Sequence, residues 1–213
     1  MNSVGQNMVS NVSRRAAICF ALAGTLLLAP PVLGQDGPLQ PQQQPTEREP
    51  LDLENTLYLD LEYGRVVIEM RPDLAPKHVA RIKELVREGF YDGIVFHRVI
   101  DGFMAQTGDP KGDGTGGSGQ TIPAEFNDAD HVRGSVSMAR SSNINSADSQ
   151  FFIVLDDSDL LNGQYTYWGN VVSGMEFVDQ IRKGDRSNNG EVPYPDRIIQ
   201  MQVAADVERA KDQ

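Results

Sequence analysis

The chain is short of cysteine and of positive charge, and each shortage removes a class of function. A single cysteine, Cys19, among 213 residues rules out an intrachain disulfide. Even with the three histidines it leaves no Cys/His set at zinc-site spacing. Nineteen Lys and Arg stand against 30 Asp and Glu, a net charge of −11. A diffuse acidic excess repels phosphate, so neither DNA nor RNA is an expected partner. No apolar run spans a bilayer comfortably; Ala16 to Ala29 is too short.

What the chain has in quantity is turn chemistry. Twenty Gly and 12 Pro accompany an apolar fraction of 39%, which favours a turn-rich β protein over a helical bundle. The first residues differ from the rest. Arg14 and Arg15 precede the apolar run, Pro30 and Pro31 end it, and Val32 with Gly34 forms a small-residue cleavage pattern before Gln35. This is the layout of a secretory signal over residues 1–34, with a loose match to a twin-arginine signal at Ser13-Arg14-Arg15. Export to the periplasm is therefore expected, with secretion or tethering by an uncleaved signal as alternatives. Cleavage would leave no stable membrane span. Residues 35–52, rich in Gln and Pro, bury too little to offset their ordering entropy and read as a flexible spacer.

A folded domain is expected over 53–206, with a polar tail at 207–213. Thr56–Leu61 and Val66–Met70 read as a hairpin, followed by a helix that Pro76 opens and Gly89 stops. Ile94–Ile100, Ser135–Ala139, Phe151–Leu155 and Tyr167–Val172 are short, apolar and turn-bounded, as strands are. Ser173-Gly174-Met175-Glu176 has the form of a capping box opening a second helix, and Arg197–Ala204 reads as a closing strand. A mainly β fold follows: a closed barrel with a helix over each end, which buries both helical stripes and leaves no long edge.

The Gly-rich run Gly108 to Gly119 formally contains a dinucleotide fingerprint, but Pro123 argues against the helix that fingerprint needs. It reads instead as a flexible loop beside a groove. His78, His97 and His131 lack metal-ligand spacing, Asp156 to Asp159 lack the rest of a calcium loop, and the serines near 135–149 lack the Gly-x-Ser-x-Gly turn. One residue stands out. Period-2 alternation puts Arg98 on the face of Ile94, Phe96 and Ile100, where an arginine either snorkels to solvent or is held for a purpose.

Phe96-His97-Arg98-Val99-Ile100-Asp101-Gly102-Phe103-Met104-Ala105-Gln106 resembles the signature of the cyclophilin-type peptidyl-prolyl cis/trans isomerases. Ser137–Arg140 with Asp148–Ile153, and Leu161–Thr166 with Trp168–Val171, resemble two further blocks, so the likeness runs from about Thr56 to Val203. It implies an eight-stranded antiparallel barrel capped by two α-helices and an enzyme that assists protein folding without metal or cofactor. It also implies a monomer acting on proline-containing unfolded or flexible polypeptides. By the same resemblance Arg98 and Gln106 are catalytic. Phe103, Met104, Phe152 and Leu161 form the proline pocket, Gln150 is a polar contact, and Ala139 and Arg140 line the groove. Leu160 and Tyr165 occupy groove positions where vertebrate-type members carry Trp and His, which implies weakened cyclosporin binding. A proline-peptide binding module with little turnover is the alternative from another class.

Overall fold

The computed structural model describes residues 50–212. The expected signal over 1–34 and all but the last residues of the 35–52 spacer lie outside the described residues. From Asp52, whose carboxylate accepts from the amide of Glu54, a 3-10 turn over Leu53–Asn55 leads into the sheet.

Eight strands follow: β1 (Thr56–Leu61), β2 (Gly64–Met70), β3 (Arg98–Ile100), β4 (Met104–Thr107), β5 (Ser135–Met138), β6 (Phe151–Val154), β7 (Tyr167–Ser173) and β8 (Gln200–Val203). They form one antiparallel sheet in the order β3-β4-β6-β5-β7-β2-β1-β8. The sheet is curled, and its terminal strands β3 and β8 do not pair with each other. Irregular backbone spans the gap between them. Val99 N–H donates to Gly190 O, Val192 N–H to His97 O, Phe96 N–H to Asp196 O and Ile198 N–H to Ile94 O. The closed barrel expected from the sequence is thus observed as a curled half-barrel of eight strands.

The helices also differ from expectation. Helix α1 (Pro76–Arg87) buries His78, Val79, Ile82, Leu85 and Val86 against the sheet, as its periodicity predicts. Its N-cap, Ala75, offers no side-chain acceptor. The Glu125 carboxylate fills that role from another loop, accepting from the amides of Lys77 and His78 at 3.0–3.1 Å. Helix α2 (Met175–Val178) is a single turn without the expected capping box. Ser173 is still in β7, opposite Val67, so the ladder holds its backbone and Gly174 makes the corner at φ +92°. Any Cβ on Gly174 would sit 2.6 Å from Arg65 O. Helix α3 (Ala204–Lys211) runs across the expected 206/207 boundary and is tied to α1 by the Arg87–Asp206 ion pair at 2.9 Å.

The main core lies inside the curl, centred on Trp168, Phe151, Tyr91 and Phe96, all fully buried. Strands β4 and β6 bury their other face as well. Ala105, Phe151 and Ile153 join the main core, while Met104, Phe152 and Val154 join a second cluster with Leu161. That is why β6 reads Phe-Phe-Ile-Val with no polar alternation: both of its faces are covered.

Candidate active site

The second cluster floors a slot of about 140 Å³ on the outer side of the sheet. Arg98, Phe103, Met104 and Gln106 line it from the β3–β4 hairpin. Ala139, Arg140, Phe152, Leu161 and Tyr165 complete it. The ring of Phe152 meets that of Tyr165 edge-on at 5.5 Å, and the Arg140 guanidinium stands 4.8 Å over the Tyr165 ring.

Arg98 is held, not snorkelling. Its Nε donates to Asn189 O at 3.0 Å, its Nη2 to Asn189 Oδ1 at 3.1 Å, and its Nη1 to Gln106 Oε1 at 3.1 Å. It does not share a face with Phe96, contrary to the alternation. Strand pairing with β4 starts only at Arg98, so Phe96 turns into the main core while Arg98 and Ile100 face the slot side. Burial lowers the Arg98 pKa from its ordinary value, and a guanidinium still keeps its proton at neutral pH.

Behind Arg98 runs a chain of amides. Gln106 Nε2 donates to Gln150 Oε1 at 2.9 Å, and Gln150 Nε2 donates to Gly116 O at 2.8 Å and Gly114 O at 3.1 Å. The Gly-rich run is therefore anchored beside the slot. Asp109, fully buried, accepts from the amides of Lys111, Asp113 and Gly114 at 2.6–3.1 Å. Burial alone would raise its pKa; the amides of Lys111, Gly116 and Gly114 outweigh burial and hold it below the ordinary carboxylate value. Asp148 accepts from the amides of Ser118 and Gly119 and from the Ser118 hydroxyl. A Cβ on Gly116 would fall 2.0 Å from Asp109 Oδ1, and one on Gly117 2.5 Å from Asp148 Oδ2, so the glycines let these carboxylates approach.

Of the residues expected at the site, all but two line this slot. Gln150 stands one step behind it, lining an adjoining cavity of about 520 Å³. Leu160 is 67% exposed and lines none of these cavities, so at this position the chain presents an apolar side chain to solvent. Sequence reasoning missed Asn189, the partner of Arg98 that lies 91 residues away. Its signal was the Asn189-Gly190 dipeptide, which favours positive φ; Asn189 has φ +53° and Gly190 φ +78°.

A Ser–His–Asn row also exists. His131 Nε2 lies 2.8 Å from Ser137 Oγ, and His131 Nδ1 lies 3.1 Å from Asn162 Oδ1. Ser137 is fully buried and His131 is 1% exposed, so no substrate reaches this hydroxyl and the row fastens a loop to β5. Among the described residues, no three His, Cys, Asp or Glu side chains are grouped to hold a metal ion. No helix among them is long and apolar enough to cross a membrane.

A slot sized for a small ring, with the Arg98 and Arg140 guanidiniums on its lining, is the candidate site. Residues 56–203 match the family model described as cyclophilin type peptidyl-prolyl cis-trans isomerase/CLD. The chain belongs to this family of peptidyl-prolyl cis-trans isomerases. A probable peptidyl-prolyl cis-trans isomerase of Brucella suis is 58% identical over 167 residues, covering 73% of this chain and 85% of the relative. Peptidyl-prolyl cis-trans isomerase B of Bacillus subtilis is 46% identical over 133 residues, 61% of this chain and 92% of its own. Among solved structures, cyclophilin AquaCyp293 from Hirschia baltica superposes with a TM-score of 0.65 at 28% identity, covering 73% of this chain and 76% of its own. A Cryptosporidium parvum cyclophilin crystallised in the presence of the dipeptide Ala-Pro gives 0.64 at 27% identity, covering 70% of this chain and 98% of its own.

Proposed function

We propose that this isomerase grips proline in the slot floored by Phe152, Met104 and Leu161, and that Arg98 lowers the barrier by donating to the prolyl nitrogen. Rotation about an X-Pro bond is slow because it breaks amide resonance, a barrier of about 18–20 kcal/mol. As the bond twists, the nitrogen becomes pyramidal and gains a lone pair. A donor aimed at that lone pair binds the twisted state better than the planar one, which is the condition for catalysis. The carrying observation is that Arg98, at the edge of an apolar slot, has only neutral partners among the described residues. Its charge is thus available to a substrate. Gln106, bonded to Arg98 on one side and Gln150 on the other, fixes where the guanidinium points. Rotation needs no proton transfer.

The substrates are proline-containing segments of unfolded or flexible polypeptides, since the slot is open and takes little more than one ring. The Ala-Pro dipeptide present with the Cryptosporidium relative supports that choice. The N-terminal charge, apolar run and small-residue pattern support an exported enzyme that assists folding in the cell envelope. The deciding experiment is a protease-coupled isomerisation assay of the chain on an Ala-Ala-Pro-Phe substrate. Strong acceleration is expected; peptide binding without acceleration would leave a binding module in its place. Mass-spectrometric identification of the mature N-terminus tests export, with cleavage before Gln35 expected.

A further inference from the structure

Two of the chain's arginines, Arg98 and Arg140, converge on the slot. Arg65, Arg71, Arg81, Arg87, Arg133 and Arg209 each pair with a carboxylate. Arg98 and Arg140, the two that line the slot, have no carboxylate partner among the described residues, as is also true of Arg182, Arg186 and Arg197 elsewhere. Arg140 Nε and Nη2 donate to Gln164 O at 3.1 and 2.9 Å, and its Nη1 donates to Ser141 O at 2.9 Å. A guanidinium has five N–H groups, so these three bonds leave two unused and the charge uncompensated. No carboxylate lines the slot, in a chain whose net charge is −11.

Arg140 also lines the adjoining cavity of about 520 Å³, which shares Gln106 and Ala139 with the slot. Lys111 lines that cavity as well. Its one carboxylate, Asp148, is already occupied by the Ser118 and Gly119 amides and the Ser118 hydroxyl. On the other side of Gln106 the sign reverses. A cavity of about 590 Å³ beside Arg98 is lined by Asp113 and Glu191; the Asp113 carboxylate accepts from the Thr115 amide and hydroxyl, and that of Glu191 accepts from Asn188.

We propose that Arg140, assisted by Lys111, makes this enzyme prefer prolines flanked by an acidic residue, whose carboxylate seats in the cavity beside the slot against the two unused guanidinium N–H groups. The inference rests on the isomerase reading and adds to it a substrate preference. With proline in the slot, a neighbouring side chain enters the cavity that continues the slot past Ala139 and Arg140. The Tyr165 ring and the Gln164 carbonyl hold the guanidinium there before substrate arrives, which reduces the ordering cost of the contact.

The test compares cis/trans exchange rates by NMR on Ala-Ala-Pro-Phe, Ala-Glu-Pro-Phe, Ala-Lys-Pro-Phe and Ala-Ala-Pro-Glu with the full chain. An acidic neighbour on one side of proline is expected to raise kcat/KM about three- to fivefold over alanine, the range open to a half-exposed ion pair. The ratio should shrink as salt rises from about 0.02 M to about 0.5 M. In Arg140→Gln the Glu-to-Ala ratio should fall to about one whatever the absolute rates, and Arg140→Lys should restore it. Equal rates on all four peptides, a preference for lysine, or a glutamate preference that survives Arg140→Gln overturns the proposal. Absence of turnover on every peptide, Ala-Ala-Pro-Phe included, overturns the isomerase reading itself.

Discussion

Arg98 and Gln106 stand directly opposite each other in the β3–β4 ladder, and the guanidinium donates to the glutamine amide oxygen at 3.1 Å. That bond sets the orientation of three side chains in series. With its oxygen committed to Arg98, Gln106 turns its NH₂ to Gln150, and Gln150 then turns its NH₂ to the carbonyls of Gly114 and Gly116. The direction of the Arg98 guanidinium is therefore tied to the anchoring of a glycine loop.

Replacing Arg98 with alanine removes the donor from a half-buried position outside the main core. Loss of one preorganised donor typically costs about 10²–10³ in rate. kcat/KM on an X-Pro tetrapeptide should fall by about that factor, with the melting temperature within a few degrees of the parent. Arg98→Lys should recover little, because an ammonium is a point charge and lacks the planar fork that meets Gln106 and both Asn189 oxygens at once. Near-parental turnover in Arg98→Ala would refute the assigned role.

Gln150→Leu keeps approximate volume but leaves the Gln106 amide and two loop carbonyls without their partner. These groups sit near solvent, so water replaces much of what is lost and the stability cost should be about 1–2 kcal/mol. Activity should fall further than stability implies, about tenfold in kcat, because Gln106 is then free to turn away from Arg98. Urea titration and steady-state kinetics on the same preparation separate the two effects. A stability loss with unchanged kcat would show that the amide series only supports the loop.

Much of this arrangement was legible in the sequence. The strands announced themselves as short apolar runs between turns, and α1 by Pro76 and the spacing of Val79, Ile82 and Val86. Three separated motif blocks brought the slot residues together before any geometry was known. What local patterns did not reveal was decided by distant partners. Ser173 stays in β7 because Val67 pairs with it, although its own neighbours spell a helix cap. Phe96 and Arg98 part company because β4 takes up pairing only at Arg98, and no alternation within one strand encodes where pairing begins. Asn189 reaches Arg98 from a loop 91 residues on. The Gly-rich run looked flexible because the buried Asp109 and the half-buried Asp148 that pin it carry no local mark of burial.

Stability should decline on mild acidification. His78, His97 and His131 are 0%, 6% and 1% exposed, and burial lowers the pKa of each from the ordinary value of 6.5. Below pH 6.5 the unfolded chain takes up protons that the folded chain refuses, so each histidine costs about 1.4 kcal/mol per pH unit until its folded pKa is reached. Glu125 acts at lower pH. Burial would raise its pKa, but the His78 ring and the Lys77 and His78 amides outweigh burial and lower it from 4.5. Its contribution is present above that value and is lost as pH falls through the folded pKa. Urea midpoints measured from pH 8 to about pH 5 should be level above pH 7 and then fall. His97→Leu should flatten the slope by removing one contribution. A level profile throughout would show that the three rings charge as freely folded as unfolded.

Asn189→Asp tests whether the charge on Arg98 is used in catalysis or only its shape. Aspartate tolerates the positive φ of this position, so the loop should fold unchanged. Its carboxylate would meet Arg98 Nη2 where the neutral Oδ1 now accepts at 3.1 Å. A charge-assisted bond is roughly twice as strong as a neutral one, so the guanidinium would be held more firmly and its field partly cancelled. If the twisted prolyl nitrogen draws on that field, kcat should fall about tenfold with little change in KM, since the apolar slot that grips the ring is untouched. The defect should ease as salt screens the new pair. Asn189→Gly removes the side-chain anchor without adding charge, and its smaller loss should be insensitive to salt. Full activity in Asn189→Asp would mean that Arg98 works by filling space at the slot's edge, and the donor role would have to be abandoned.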